Sequence, residues 1–437
     1  MKYYCIGIKG TGMSTLAQIL FDLGNEVSGY DDAKGHKFTQ DGLEKRNIKI
    51  YYDGNHEIDK DTIVTYSVAF TENHPEMKRV KELGLTIKKY NEIMGDLTKQ
   101  FKTIGVSGTH GKTTTSSLVK HILQDHFGDC NYFIGSGDGK ASLNNEYYVV
   151  ESDEFNKHFV TYHPTYAIIT NIEKEHMECY KDIDDIRNTF EIFANNTKDL
   201  VVANGDNEEI KNINYNSKVL FYGLNEDNDV VIKNIELTKD GCIFDLFINN
   251  ELYGHFDIPL YGMHMVMNAT AAIITCKEIG VPYEEIHKSL ETFKNAVRRF
   301  QETKIGDVII IDDYAHHPTE IKVTLDAVKQ KYPDKTLKVL FVPNTYSRTK
   351  DFKNEFIDSF KVADKTYLTE IDCNREKSED YGNVTSKVIF DLLTNGEMIS
   401  EDNIENLLKH KNAVICFMSC ASIAHLKDNY IKKYTNQ

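Results

Sequence analysis

Prolines are scarce, with seven in 437 residues, and no Gly/Ser-rich or Pro-rich tract stands out. Without such linkers, domain limits must be read from changes in residue pattern. No apolar run approaches the roughly 18 residues of a membrane helix. The start, Met1-Lys-Tyr-Tyr-Cys-Ile-Gly-Ile, reads as a short strand entering a glycine loop, not as the longer apolar stretch and cleavage site of a signal peptide. A cytoplasmic protein without membrane insertion is expected. The eight cysteines include no C-x-x-C pair, and Cys416 and Cys420 lack a second pair to complete a zinc site, so buried free thiols are expected. Positive charge is short as well: 51 Lys and Arg against 67 Asp and Glu give a net charge of −16. That balance lacks the basic footprint of a nucleic-acid binder. Anionic ligands would have to be met by a few local cations and helix N-termini.

What is present is a repeated alternation of strand-like and helix-like segments, the mark of an α/β fold. Apolar residues 2–8 lead into Gly7-Ile-Lys-Gly10-Thr-Gly12. Ser14 is placed to cap a helix carrying Leu16, Ile19, Leu20 and Leu23, which Gly24 ends. Glu26–Tyr30 reads as the next strand, closed by Asp31. Residues 1–97 are expected to form a first, Rossmann-like domain. Residues 98–300 read as a central domain with a phosphate loop and, between 229 and 260, an antiparallel appendage turning at Lys239-Asp-Gly241 and Asn249-Asn250. Residues 301–437 read as a second Rossmann-like α/β domain, with strands at Val308–Ile311 and Lys338–Val342 around a helix at Thr319–Gln330.

The most informative stretch is Ile104-Gly-Val-Ser-Gly108-Thr109-His110-Gly111-Lys112-Thr113-Thr114. It departs from G-x-x-x-x-G-K-[ST], because Val106 stands where the first glycine belongs. A strand before it and a helix after it nonetheless aim backbone N–H groups and a positive helix end at an anion. Lys112 is placed to reach β/γ phosphates and Thr113 to take a magnesium position. Glu151-Ser-Asp153-Glu154 closes a strand and offers hard oxygen ligands; a solvated acidic turn is the plainer alternative. His176, after Thr170-Asn-Ile-Glu173, is by itself more often structural than a ligand. The loop at Gly10, Thr11 and Gly12, with Asp31 after the second strand, favours a nucleotide diphosphate, with NAD(P) as the runner-up. Asp312-Asp313-Tyr314-Ala-His316-His317-Pro318 follows a strand and reads as a polar site or as a helix entry with Asp caps. Arg348 could clamp a carboxylate, and Arg298-Arg299 could reach a phosphate or simply be exposed.

Taken together and in order, "GTHGKTTT", "ESDEFNKHF", "TNIEKEH", "HMVMNA", "RRFQ", "DDYAHHPTEI" and "PNTYSRT" resemble the Mur ligase family over essentially the whole chain. The resemblance implies a UDP-binding first domain, a central ATPase and a Rossmann-like third domain. It also implies ATP-dependent amide formation through an acyl phosphate in building the peptidoglycan stem. The opening "GIKGTGMSTLAQIL" and "DDYAHHP" look most like the branch that adds L-alanine to UDP-N-acetylmuramate. Carried over by motif, Gly108, Thr109, His110, Gly111, Lys112, Thr113 and Thr114 would hold ATP, with His264, Asn268, Arg299 and Asp313. Thr113, Glu154 and His176 would hold Mg²⁺, and Gly10, Thr11, Gly12, Asp31 and His56 the UDP substrate. Tyr314, His316, Asn344 and Arg348 would line the amino-acid side. Lys112, His176, Arg299, His316 and Arg348 would carry the chemistry. Where some members have a carbamylated lysine, Glu191 stands here. Asn344 replaces a family histidine, which keeps open a ligase for another amino acid or peptide. Ser419-Cys420-Ala421 replaces a glycine-rich turn, which keeps open a nucleotide-binding paralogue without catalysis.

Overall fold

Apolar strands separated by amphipathic helices collapse into three sheets. The computed structural model describes residues 1–135, 137–373 and 376–436. By compactness these divide into one unit of residues 1–233, 245–256 and 267–293 and a second of 234–244, 257–266 and 294–437. Among the described residues no helix is long and apolar enough to cross a membrane.

The first unit opens with a parallel five-stranded sheet. Its order is Lys49–Tyr51, Glu26–Tyr30, Lys2–Ile6, Thr62–Tyr66, Thr86–Ile87. The order reverses direction beside Lys2–Ile6, where α/β sheets open a crevice at the strand ends. Gly7, at φ 78°, turns the chain there, and a side chain at that position would collide with Phe70. Ser14 does not cap the helix that follows. Helix Thr11–Asp22 begins at Thr11 with extended Gly10 as its N-cap, because the Gly10 N–H bond to Gly7 O tightens the turn earlier. Ser14 is buried inside the helix and donates instead to Thr39 O at 2.7 Å.

The second sheet has ten strands. From one edge they run Glu251–Ile258, Gly241–Ile248, Val230–Thr238, Val219–Gly223, Leu200–Asn204, Tyr166–Ile169, Lys102–Ser107, Tyr147–Glu151, Asn131–Ile134 and Asp138–Lys140. The expected appendage is its first three strands, joined by two-residue turns that demand antiparallel neighbours. At the other edge, Asp138–Lys140 lies against helix Thr11–Asp22. A Cβ on Gly139 would come within 2.6 Å of Thr15. The Gly137 and Gly139 carbonyls accept from Gln18 Nε2 (3.0 Å) and Arg46 Nη2 (2.9 Å), and Arg46 is held by a bidentate pair with Asp22.

In the second unit a six-stranded sheet runs Gln301–Ile305, Val308–Asp313, Ala413–Met418, Thr336–Phe341, Lys365–Leu368, Gly396–Met398. Its central strands bury both faces. Ile309, Ile311, Val339, Phe341, Val414 and Cys416 pack one way, and Val308, Ile310, Leu340, Ile415 and Phe417 the other. This is why they read as continuous apolar runs. Helix Pro318–Lys331 is capped not by Asp but by His317, whose Nδ1 accepts from Thr319 N, while Glu320 reaches back to the His316 and His317 N–H groups. The eight cysteines are free, but only five are buried as expected, with Cys179, Cys373 and Cys420 half-buried.

In this unit His410 Nε2 meets the Tyr367 hydroxyl at 2.6 Å. Burial, then the charges of Lys338 and Lys409, hold His410 down at about 4. A histidine depressed in the folded state contributes stability that is complete above its unfolded value near 6.5 and is lost as pH falls toward 4. Denaturant unfolding of the second unit's signal at pH 7 and pH 5 should show that loss. His410→Gln should flatten that dependence; an unchanged slope would remove His410 as its source.

Candidate active site

In the second sheet, parallel register gathers the motifs that the sequence separates. Strand Lys102–Ser107 pairs Ser107 with Ile169 on one side and Val106 with Glu151 on the other. The glycine loop, the Thr170–His176 stretch and the Glu151–Glu154 stretch therefore emerge at one end of the sheet. The loop backbone is braced by the Thr170–His176 stretch. Thr109 N–H donates to Asn171 O (2.9 Å), His110 N–H to Asn171 Oδ1 (2.8 Å), and Thr170 Oγ1 to His110 O (2.6 Å). Gly108 takes φ 140° and Gly111 φ 83°, conformations that side chains resist. Space is equally short: a Cβ on Gly108 would lie 2.0 Å from Thr170 Oγ1, and one on Gly111 2.7 Å from Asn268 Oδ1. Asn268 thus stands against the loop, with His264 one turn earlier on helix Met263–Ile279. Thr114 is buried in helix Lys112–Phe127.

Lys112 Nζ reaches Glu154 at 2.8 and 3.0 Å and the carbonyls of Gly108 (2.6 Å) and Thr109 (3.2 Å). Burial opposes its charge, but Glu154, Asp153 and Glu151 outweigh burial and raise its pKa above the ordinary lysine value. The Thr113 hydroxyl donates to Glu151 Oε1 at 2.9 Å. Gly135 N–H takes the other Glu151 oxygen at 2.7 Å. Glu151 is brought to Thr113 by its strand's pairing with Val106, which local spacing does not show. Ligand atoms of Asp153, Glu154 and His176 lie within 4.8 Å of one another. Two carboxylates and an imidazole suit a divalent cation. His176 sits at φ 55°, with Nε2 3.9 Å from Glu154 and Nδ1 3.5 Å from Glu178, a second partner with no signal in the motif. Burial would lower its pKa; Glu178 and Glu154 raise it. Glu191 is turned to Asn214, accepting from its N–H at 3.0 Å.

At the first sheet, Gly10 and Thr11 form the entry to helix Thr11–Asp22, and Gly12 faces the Tyr90 hydroxyl. Asp31 braces this loop, accepting from Lys9 N (2.9 Å) and Ala33 N (3.0 Å). Buried Lys9 ties the same segment by Nζ bonds to Ala33 O (2.6 Å) and Gly35 O (2.7 Å). His56 stacks on Tyr51 at 3.5 Å, its pKa lowered by burial and by Arg79.

The second unit gathers its own set by the same device. Asp313 pairs with Met418, and Met418 with Phe341, so "DDYAHHP", the 419–421 turn and "PNTYSRT" leave one sheet end. Buried Asp313 accepts from Phe300 N (2.7 Å) and Ala315 N (2.8 Å); burial raises its pKa against the pull of Arg299. The Arg299 guanidinium lies 4.9 Å from the Tyr314 ring centre. Burial, then Arg299, holds His264 at about 4. His316 Nδ1 is 3.0 Å from Glu320, and its ring stands edge-on to Tyr314. Arg348 Nη1 donates to Asn344 O (3.0 Å), and Asn344 Nδ2 to Asp372 O (2.5 Å). Thr345, at φ 71°, starts the short helix Tyr346–Asp351, whose first N–H groups are taken by Glu376. Ser419 fills the altered turn: its hydroxyl donates to Val342 O (2.9 Å) and accepts from Ala421 N (3.0 Å).

An α/β protein with a braced phosphate loop, an acidic–imidazole cluster beside it and further sheet-end sites is thus defined. Three family models match in series: Mur ligase family, catalytic domain, over residues 2–102; Mur ligase middle domain over 106–276; and Mur ligase, glutamate ligase domain, over 298–418. The chain belongs to the Mur ligase family. It is 42% identical over 437 residues to a UDP-N-acetylmuramate–L-alanine ligase of Lactiplantibacillus plantarum, covering 100% of this chain and 98% of the relative. A ligase of the same name from Ligilactobacillus salivarius is 41% identical over 434 residues, covering 98% of this chain and 96% of the relative. The fold is that of a crystal structure of UDP-N-acetylmuramate–alanine ligase from Thermotoga maritima, with TM-score 0.82 at 24% identity, over 100% of this chain and 99% of that one.

The glycine geometry gives a direct test. Gly108→Ala should abolish binding of a fluorescent ATP analogue, since strain and the Thr170 contact together cost more than ~2 kcal/mol. Binding within a factor of two of wild type would show that the loop does not need this backbone.

Proposed function

We propose that this ligase joins L-alanine to the carboxylate of UDP-N-acetylmuramate, converting ATP to ADP and phosphate, in peptidoglycan precursor synthesis in the cytoplasm. The observation that carries the reading is the lysine-bearing loop set between a carboxylate-bearing and a histidine-bearing strand end, in a chain alike over its full length to two L-alanine ligases. A carboxylate is a poor acyl donor in water. Its oxygen attacks the γ-phosphorus, the bond to ADP breaks, and the acyl phosphate forms. The alanine amine then attacks the acyl carbon, phosphate leaves with the C–O electron pair, and the amine gives up a proton. Such a reaction asks mainly for positioning and charge neutralisation.

Each group has a place in this scheme. The Gly108–Thr114 loop holds the phosphates through the backbone N–H groups at the start of helix Lys112–Phe127 and the Lys112 charge, with the Thr109 and His110 N–H groups bracing the turn on Asn171 and Asn268 standing against it. Asp153, Glu154 and His176, with Thr113 and Glu151 alongside, have the donor set for Mg²⁺, which when bound supplies positive charge against the phosphates. We assign residues 1–97 to the UDP substrate, through Gly10, Thr11, Gly12, Asp31 and His56. Residues 98–300 form the ATP domain and 301–437 the third domain. In the second unit, His264, Arg299 and Asp313 are assigned to the nucleotide, and Tyr314, His316, Asn344 and Arg348 to the amino acid.

Purified protein with ATP, Mg²⁺ and UDP-N-acetylmuramate should release phosphate on addition of L-alanine in preference to a panel of other amino acids and peptides. A different preferred acceptor would relocate the specificity to the Asn344 side, and no stimulation by any acceptor would sink the ligase reading. Lys112→Ala should lower turnover by at least ~100-fold. It should also destabilise the fold by ~3–5 kcal/mol, because it leaves buried Glu154 without its counter-charge. Near-wild-type turnover would refute the role given to the loop.

A further inference from the structure

His158 lies on the stretch Phe155–Thr161 that follows the acidic cluster. Two successive residues before it, Asn156 (φ 52°) and Lys157 (φ 56°), hold left-handed backbone. Non-glycine residues adopt that conformation only where their surroundings enforce it. Here Lys157 is anchored by Asp185 at 2.6 Å and Asn156 by the Cys179 thiol at 3.1 Å. The double bend leaves His158 half-buried, with its ring 5.5 Å from that of Tyr90. Its carbonyl is used by Thr161, but among the described residues nothing hydrogen-bonds its imidazole nitrogens. A half-buried imidazole with no protein partner among the described residues, on a backbone held by two anchored left-handed residues, is placed to take a ligand.

Its neighbours say which ligand. Tyr90 puts its hydroxyl against Gly12, in the loop that heads helix Thr11–Asp22. On the other side the charge of Asp153, in the carboxylate–imidazole cluster beside Lys112, acts on the His158 ring. His158 therefore stands one aromatic ring from the diphosphate loop and one carboxylate from the ATP phosphate cluster. On the function proposed above, the part of the substrate that spans that interval is the sugar with its carboxylate-bearing ether. We propose that His158 is a substrate-binding residue that hydrogen-bonds the muramoyl portion of UDP-N-acetylmuramate, between its diphosphate and its reacting carboxylate. Burial lowers the pKa of this histidine, with Asp153 partly opposing. The neutral ring offers one N–H donor and one acceptor, which suits hydroxyl, amide or carboxylate groups.

The inference rests on the proposed activity, so its test separates the two. Calorimetry without ATP should compare UDP and UDP-N-acetylmuramate binding to wild type, His158→Ala and His158→Gln, and steady-state assays should give KM for each substrate. In His158→Ala, UDP affinity should stay within about twofold, while UDP-N-acetylmuramate affinity falls about 10-fold and its KM rises in step. His158→Gln, which keeps a donor and an acceptor, should recover part of the loss. KM for ATP and L-alanine should not move. An active His158→Ala enzyme that binds UDP-N-acetylmuramate as tightly as wild type would overturn this inference alone. Equal losses for UDP, ATP and UDP-N-acetylmuramate would also overturn it, by showing a purely structural role. Wild-type protein that binds UDP but not UDP-N-acetylmuramate would overturn the proposed activity and this inference together.

Discussion

Parallel hydrogen-bond register is the constraint on which the chemistry of this molecule depends. Parallel strands all end at the same edge of a sheet, so whatever follows each strand is delivered to one place. Ser107 opposite Ile169, and Val106 opposite Glu151, bring three motifs to a single cluster although they lie up to seventy residues apart in the chain. A slip of one residue in the Val106–Glu151 pairing would turn Glu151 and its successors to the other face of the sheet, and one in the Ser107–Ile169 pairing would do the same to the Thr170–His176 stretch. The second unit repeats the arrangement with Asp313, Met418 and Phe341. The central strands of that unit's sheet, rich in Val, Ile and Leu, bury both faces.

Where strands converge, the loops must be both tight and charged, and the two demands meet differently in each place. The phosphate loop uses left-handed glycines and borrows its hydrogen bonds from Thr170 and Asn171. At the first sheet the same work is done by side chains: Asp31 and buried Lys9 lace the turn to residues 31–35. Ser419 does it with a hydroxyl where a glycine-rich turn is the family habit. A turn closed by a side chain is more rigid than one left to glycine, since fewer backbone states compete with the closed form.

Much of this was legible in the sequence. Alternation of apolar strands and helical stripes marked three α/β regions, and the glycine–lysine loop, acidic cluster and histidine pair marked the strand ends. Local spacing could not reveal partners chosen by packing. Thr113 meets Glu151 because the helix starting at Lys112 faces the neighbouring strand's last residue. His176 gains Glu178, and Ser14 loses its capping role to a turn closed at Gly10. Helix Pro318–Lys331 is capped by His317, since the carboxylate of Asp313 is already spent on Phe300 and Ala315. Each miss is a competition among nearby polar groups, settled by the surrounding fold.

The last strand of the ten-stranded sheet, Asp138–Lys140, has a further consequence. An outermost strand ordinarily presents a ladder of unclaimed carbonyls to any passing chain, the usual seed of intermolecular sheet growth. Here Gln18 and Arg46 occupy the Gly137 and Gly139 carbonyls, and helix Thr11–Asp22 covers the glycine face so closely that no side chain fits. The contact that joins the first sheet to the second is therefore also a seal. In the folded protein it keeps this edge of the sheet from pairing with a neighbouring chain.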